Sequence, residues 1–138
     1  MKGREFLAVS LQLLAGATEA HWRSAAGRAY FALLIEARET LDRWGFRLPA
    51  RDKVHAFVRL RFTYSSDIDL KEIGLALDEL SQLRNRADYE MVSPRFATVR
   101  ASRGGVLRVQ KALLLLDAVD ADSTRRTAAI ADMRARWP

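Results

Sequence analysis

Cysteine is absent from this 138-residue sequence, and glycine and proline are scarce, at 7 and 3 residues. The lack of cysteine excludes disulfides, thiolate catalysis and cysteine-type zinc sites. The scarcity of glycine and proline favours long continuous elements over many short strands and turns. The longest apolar runs, Ala29–Ile35 and Ala112–Leu116, fall far short of the roughly 20 residues needed to cross a bilayer, and we read no signal peptide. We therefore expect no membrane association and a cytoplasmic location.

Hydrophobic residues make up 49% of the chain and charged residues 29%. This composition excludes a disordered protein and provides enough apolar material for one core. The length is that of one ordinary domain. We predict a helical bundle over residues 1–121, followed by a C-terminal helical extension or tail over 122–138.

Apolar residues recur every three or four positions almost throughout the chain, which predicts an all-α protein. Five helices are expected, at about residues 3–15, 19–44, 52–63, 66–89 and 93–119. Thr18 is the expected cap of the second helix, and Ser66 with Asp69 fits a capping box for the fourth. Ser93 followed by Pro94 is typical of a helix start and predicts the beginning of the fifth.

Helices of this length, joined by short loops, pack most simply as an up-and-down bundle of four to five main helices. Leu11, Ile68 and Leu107 are assigned to its buried stripes. Gly104 and Gly105 predict a kink or a break in the fifth helix. Residues 124–137 are interpreted either as a short C-terminal helix or as a frayed tail.

Positive charge is concentrated in two segments. The net charge is +6, and residues 43–63 and 84–111 each carry a local +5, whereas residues 64–83 between them carry −4. Two basic segments that meet in space would form a footprint for phosphate groups. Because 19 of the 23 basic residues are arginine, a compositional preference for arginine would explain the same excess without nucleic acid. Both interpretations stay open.

Most signatures of catalysis are missing as well. There is no H-E-x-x-H motif, no glycine-rich phosphate loop and no G-x-S-x-G motif. The two histidines, His21 and His55, lie on different predicted helices and are interpreted as half-buried helix residues. We expect neither a metal site nor a cofactor.

One polar constellation, Arg84-Asn85-Arg86-Ala87-Asp88-Tyr89, stands at the end of the fourth helix. Arg84 lies close to the apolar stripe, and Arg84 and Asp88 are spaced to pair at i, i+4. Polar groups near a buried face are costly unless they satisfy one another or line a cleft. Two interpretations follow. The first is a polar network that fixes the packing register, and the second is a cleft in which Arg84 donates to a phosphate and Asn85 orients the ligand.

Two segments of the chain resemble the HEPN family of helical-bundle proteins. Residues 22–32, Trp-Arg-Ser-Ala-Ala-Gly-Arg-Ala-Tyr-Phe-Ala, are similar to the signature R-S-x-x-x-R-A-Y-Y-A. Residues 83–89, Leu-Arg-Asn-Arg-Ala-Asp-Tyr, are similar to the L-R-N-x-A-D-Y signature of one branch. His55 is similar to a histidine that opens the intervening helix in that branch. The resemblance covers about residues 4–120. Within it, Tyr30 is expected in the core and Arg28 is expected to be able to reach the cleft.

The resemblance implies a bundle of four to five helices, usually a homodimer. Many members are metal-independent endoribonucleases, and some are toxins paired with a small nucleotidyltransferase antitoxin. In those proteins an arginine followed four to six residues later by a histidine lines a cleft between protomers. Arg84 and Asn85 match the start of that motif, but the position five after Arg84 is Tyr89, Glu90 and Met91 follow it, and the histidine is absent. The ribonuclease motif is therefore degenerate. No other group near Arg84 is expected to titrate close to neutral pH, which argues against general acid–base cleavage.

These features predict a HEPN-like domain that binds RNA or a nucleotide in a dimer cleft, with ribonuclease activity and a toxin–antitoxin role left open. Its candidate binding residues are Arg84, Asn85, Asp88, Tyr89 and Arg28. The alternative is a non-catalytic dimeric module that docks a partner protein of the nucleotidyltransferase type.

Overall fold

A computed structural model describes all residues 1–138 and contains six α-helices, a short 3₁₀ turn and no strand. The helices are α1 (Gly3–Leu14), α2 (Glu19–Arg43), α3 (Val54–Thr63), α4 (Ile68–Tyr89), α5 (Arg100–Ala121) and α6 (Ser123–Arg136), and the turn is Pro94–Phe96. The predicted all-α bundle is confirmed, with one helix more than the four to five main helices expected. None of the six is both long and apolar enough to cross a bilayer.

The central element is α2, which packs against α1, α4 and α5, while α3 packs against α4. Its buried stripe carries Ala25, Ala29, Leu33, Ala37 and Leu41, all fully buried and spaced by four, as a core-facing helix requires. Three of these residues are alanines, and such small side chains let neighbouring helices approach closely. The side chains on the opposite face of α2 are therefore left at the surface, where they are available for a site.

The start of α4 is capped by Asp67, whose carboxylate accepts hydrogen bonds from the backbone N–H groups of Asp69 at 2.9 Å and Leu70 at 3.2 Å. The prediction of a capping box at Ser66 is wrong by one residue. Asp67 also binds Arg125 of α6 at 2.9 Å. That long-range contact favours a carboxylate cap and is invisible in the local sequence pattern.

The predicted fifth helix begins later than expected. Ser93 caps the 3₁₀ turn, with Pro94 in its first position, and α5 starts only at Arg100. The reason lies in Phe96, which is fully buried against Ala26 and, together with it, forms a small apolar cluster apart from the main core. The chain turns to bury this ring before the helix can begin.

The kink or break expected at Gly104 and Gly105 does not form, because α5 is continuous from Arg100 to Ala121. A Cβ atom added at Gly105 would lie 3.0 Å from Cδ2 of Leu83 on α4, closer than ordinary packing. Glycine here serves the close approach of α5 to α4 and does not interrupt the helix.

The C-terminal segment forms the helix and not the frayed tail. Ala129 and Met133 of α6 are each 1% exposed and belong to the main core. Three of the residues predicted to be buried are exposed instead: Leu11 at 43%, Ile68 at 78% and Leu107 at 59%. Each lies on a helix whose apolar stripe in sequence is wider than the surface its neighbours cover.

Candidate functional site

The end of α4 meets α2 at the predicted polar constellation. Nε of Arg84 lies 3.0 Å from Oδ2 of Asp88, so the expected i, i+4 pair is confirmed. The Arg84 guanidinium lies 5.1 Å from the centre of the Phe31 ring of α2, within cation–π range. The packing of α4 on α2 thus places polar residues of both helices side by side.

A surface cavity of about 230 Å³, which we call the α2–α4 cleft, lies at this junction. Its lining residues are Ser24, Gly27, Arg28, Phe31 and Asp88. A Cβ atom at Gly27 would lie 3.9 Å from Cγ of Arg84 and 4.0 Å from Oδ1 of Asp88, so the wall of the cleft at this point is bare backbone. Arg28 shares the cleft with Asp88, as expected.

Arg84 contributes hydrogen-bond donors that the protein does not use. Its Nε is buried and makes no hydrogen bond, since the approach to Asp88 has the distance of an ion pair without the alignment of a hydrogen bond. The Arg84 side chain is 26% exposed, so its guanidinium is partly open to solvent beside the cleft. This arrangement can accept an anion.

His55 of α3 reaches the same place from the other side. Its Nδ1 lies 2.7 Å from the hydroxyl of Tyr30, and its ring meets the edge of Phe31 at a centroid distance of 6.3 Å. Burial lowers the pKa of His55 below its ordinary value, and the positive charge of Arg84 lowers that pKa further. α3 therefore brings a titratable histidine, which is far away in sequence, to the neighbourhood of Arg84.

Tyr30 is 3% exposed, which confirms its place in the core, and burial raises the pKa of its phenol above the ordinary value. The phenol stays protonated near neutral pH, and its hydroxyl shares one hydrogen bond with Nδ1 of His55, in which the tautomer of the ring sets the donor. The Ser81 side chain opposes this rise in the pKa of Tyr30 most strongly, and the positive charges of Arg84 and Arg59 also oppose it. The two basic segments of the sequence thus meet at Tyr30.

The remaining candidates lie elsewhere on α4. Asn85 and Tyr89 are exposed, Tyr89 at 73%, and neither lines the α2–α4 cleft. They lie on the outer face of α4, away from the side that packs on α2.

A second cavity of about 350 Å³, which we call the α1–α3 pocket, adjoins the cleft and shares Arg28 and Phe31 with it. The residues that line it come from α1, α2, α3 and the loop before α3: Phe6, Arg28, Phe31, Leu34, Ile35, Arg38, Arg51, Val54 and His55. Apart from Arg28, none of them was a candidate from the sequence. A signal was present in the i, i+3, i+7 and i+10 spacing of Arg28, Phe31, Ile35 and Arg38. This spacing puts apolar and basic residues together on one face of α2.

Arg23, within the segment 22–32, stabilises the junction between α2 and the end of α4. Its side chain is 14% exposed and donates to backbone carbonyls at the end of α4, including that of Ala87 at 2.9 Å and that of Glu90. It also pairs with Glu19 at 2.9 Å and lies over the ring of Phe96. The last carbonyls of a helix have no partner within the helix, and here one arginine satisfies several of them.

Compared with protein-family models, curated proteins and solved structures, the chain gives no significant match. No group of three or more His, Asp or Glu side chains is placed to hold a metal ion.

Proposed function

We propose that the chain is a HEPN-like domain that binds RNA or a nucleotide through a phosphate group in the α2–α4 cleft, with Arg84 as the principal anion donor. The single observation that carries this proposal is the state of Arg84. It lies over an aromatic ring at the edge of a cleft, with N–H donors that no protein acceptor uses. Arginine in that state suits the bidentate recognition of phosphate.

The neighbours of Arg84 support the same chemistry. Arg28 lines the cleft and forms no ion pair, so a second cation is available to a phosphate. Asp88 opposes an anion, and its pair with Arg84 holds the guanidinium in place until a ligand competes for it. The side chain of Asp88 is 41% exposed, which keeps this competition weak because solvent screens the pair. In the family-like dimer, a second copy would close the cleft.

The test is binding of a fluorescent single-stranded RNA, measured by anisotropy with EDTA present at two salt concentrations. Arg84→Ala should weaken binding about tenfold, because a charge-assisted hydrogen bond is lost, and should reduce the dependence on salt by about one phosphate contact. Arg136→Ala is the matched control. It also removes an arginine from an i, i+4 pair with an aspartate, at 3.6 Å, and it lines neither cavity. Equal losses in both variants would reduce the effect to net charge and overturn the proposal.

Cleavage of the same RNA is followed on gels in parallel. Cleavage that Arg84→Ala removes and Arg136→Ala keeps would make the protein a metal-independent nuclease, with His55 as the group to test for proton transfer. Intact RNA with Arg84-dependent affinity would make it a binding module.

The docking alternative has one observation in its favour. Tyr89, Met91 and Val92, around the end of α4, are 73%, 74% and 94% exposed, an unusual concentration of large apolar side chains at the surface. Wild-type protein that neither binds nor cleaves RNA would turn the assignment to a partner protein that covers this segment.

A further inference from the structure

The α1–α3 pocket differs from the other main cavities of the protein in its charge. Three arginines and a histidine line it, and no carboxylate does. Each of the other four has at least one carboxylate in its lining: Glu79 in one, Glu36, Glu39 and Asp117 in the second, Asp88 in the α2–α4 cleft and Glu90 in the last. An electropositive cavity without acidic competition selects an anionic ligand.

The interior of the pocket is apolar and aromatic. Phe6 and Phe31 contribute rings, and Leu34, Ile35 and Val54 contribute aliphatic surface. The guanidinium of Arg28 lies 5.6 Å from the centre of the Phe6 ring. Aromatic rings and arginine planes are the surfaces on which unpaired nucleobases stack in proteins that bind single-stranded RNA.

The polar groups lie at the rim. Arg51 is exposed and forms no ion pair, and Arg38 pairs only with its neighbour Glu39, at 3.1 Å, with both side chains nearly half exposed. His55 adds its second ring nitrogen, Nε2, since its Nδ1 is engaged by Tyr30. A pocket of about 350 Å³ with an apolar interior and a few convergent polar groups has the size and character of a small-molecule site.

We propose that the α1–α3 pocket binds one nucleoside monophosphate unit, free or as part of an RNA strand. The base stacks on Phe6 and Phe31 with Nε2 of His55 near its polar edge, and the phosphate lies between Arg38 and Arg51. This inference deepens the proposed function and rests on it, because the pocket shares Arg28 and Phe31 with the α2–α4 cleft. A strand whose base occupies the pocket can place its neighbouring phosphate on Arg84.

The first experiment compares the binding of AMP, ribose 5-phosphate and octanoate to the full chain by calorimetry with EDTA present. AMP should bind at least about fivefold more tightly than ribose 5-phosphate, since the sugar phosphate lacks the base and therefore both its stacking and its contact with His55. Equal affinities would overturn the proposal. Octanoate binding more tightly than AMP would also overturn it, by assigning the pocket to amphipathic carboxylates.

Two variants place the bound AMP. Arg51→Ala should weaken AMP binding about tenfold, and Arg47→Ala, an exposed arginine of the same loop that does not line the pocket, should leave it unchanged. Equal effects of the two substitutions would overturn the assignment. Ile35→Trp fills the pocket and should abolish the advantage of AMP over ribose 5-phosphate. Because Arg51 is exposed, Arg51→Ala keeps the test decisive even where the larger side chain disturbs folding.

Arg84→Ala separates the two proposals. Loss of RNA affinity with AMP binding retained supports both sites. If AMP binds no more tightly than ribose 5-phosphate while RNA binding still depends on Arg84, the proposal for the α2–α4 cleft stands and the proposal for the α1–α3 pocket is overturned. If AMP binding depends on Arg51 while Arg84→Ala leaves RNA affinity unchanged, the proposal for the α1–α3 pocket stands and the proposal for the α2–α4 cleft is overturned. Displacement of fluorescent RNA by AMP shows that the pocket serves the polymer, and AMP binding without displacement restricts it to free nucleotides.

Discussion

An arginine lies beside one or two aspartates at each end of α4, and the two arginines differ in how many hydrogen bonds their N–H groups donate within the protein. At the N-terminal end, Arg125 donates to Asp67 at 2.9 Å and to Asp69 at 2.8 Å, and Asp67 also caps the helix. At the C-terminal end, Arg84 pairs with Asp88 alone, without a hydrogen bond. The exposed fractions of the two arginine side chains are similar, at 33% and 26%, so burial does not explain the difference.

The contrast separates a stabilising arginine from an available one. Arg125 closes the contact between α6 and α4, and its interactions are complete within the protein. Arg84 lies over the ring of Phe31, yet its buried Nε donates no hydrogen bond within the protein. An arginine that is oriented but not satisfied is well prepared for a ligand, because the side-chain ordering that binding requires is partly in place already.

The largest expected effect comes from Arg23 of α2, whose side chain binds carbonyls at the C-terminal end of α4. Arg23→Ala should lower the free energy of unfolding by about 3 kcal/mol, since several charge-assisted hydrogen bonds to α4 carbonyls and the contact with Phe96 are lost together. Chemical denaturation followed by circular dichroism measures it. A loss below about 1 kcal/mol would mean that water replaces these bonds and that the end of α4 is not tied down.

A smaller effect sharpens the comparison itself. Arg125→Ala should lower the free energy of unfolding more than Arg84→Ala does, because removal of Arg125 leaves two partly buried carboxylates without their partner, whereas removal of Arg84 leaves only Asp88, whose side chain is already 41% exposed. RNA binding should show the reverse order, intact in Arg125→Ala and weakened in Arg84→Ala. Parallel unfolding and binding curves for the two variants measure both. Similar losses of stability would erase the distinction between the two ends.

The smallest effect concerns His55. Because its pKa is lowered in the folded protein, protonation favours the unfolded chain. The contribution of His55 to stability is fully present above its ordinary pKa of about 6.5 and declines as the pH falls below that value. Wild type should therefore lose stability relative to His55→Gln between pH 7.5 and 5. Unfolding curves across this range test the sign, and a constant difference would place His55 outside the influence of burial and Arg84.

The sequence was sufficient for the elements that local patterns control. The all-α class, the Thr18 cap, the Arg84–Asp88 pair and the burial of Tyr30 all follow from spacing along a helix. The features it did not reveal depend on which helices become neighbours. Asp67 replaced Ser66 as a cap alongside its contact with Arg125, and Gly105 allows α5 to approach Leu83 without a kink.

The candidate site divides in the same way. The sequence identified Arg84, Asp88 and Arg28, which share a junction, together with Asn85 and Tyr89, which face away from it. His55 was set aside as a helix residue because nothing in its own segment indicates that α3 lies against Phe31. The pocket went unpredicted for a related reason, since the face of α2 that carries Arg28, Phe31, Ile35 and Arg38 becomes a cavity wall only where α1 and α3 pack beside it.

The bond network of Arg23 has a consequence for how a short signature should be weighed. In the segment Arg23-Ser24, the arginine stabilises the packing of α2 against the end of α4. The residues of α2 that line the α1–α3 pocket follow it in sequence. A relative could keep that first arginine for the sake of its fold after losing every ligand contact. Arg38 and Arg51 would report on ligand binding more directly, because Arg51 is exposed without an ion pair and Arg38 pairs only with its neighbour Glu39, so the fold depends little on either side chain.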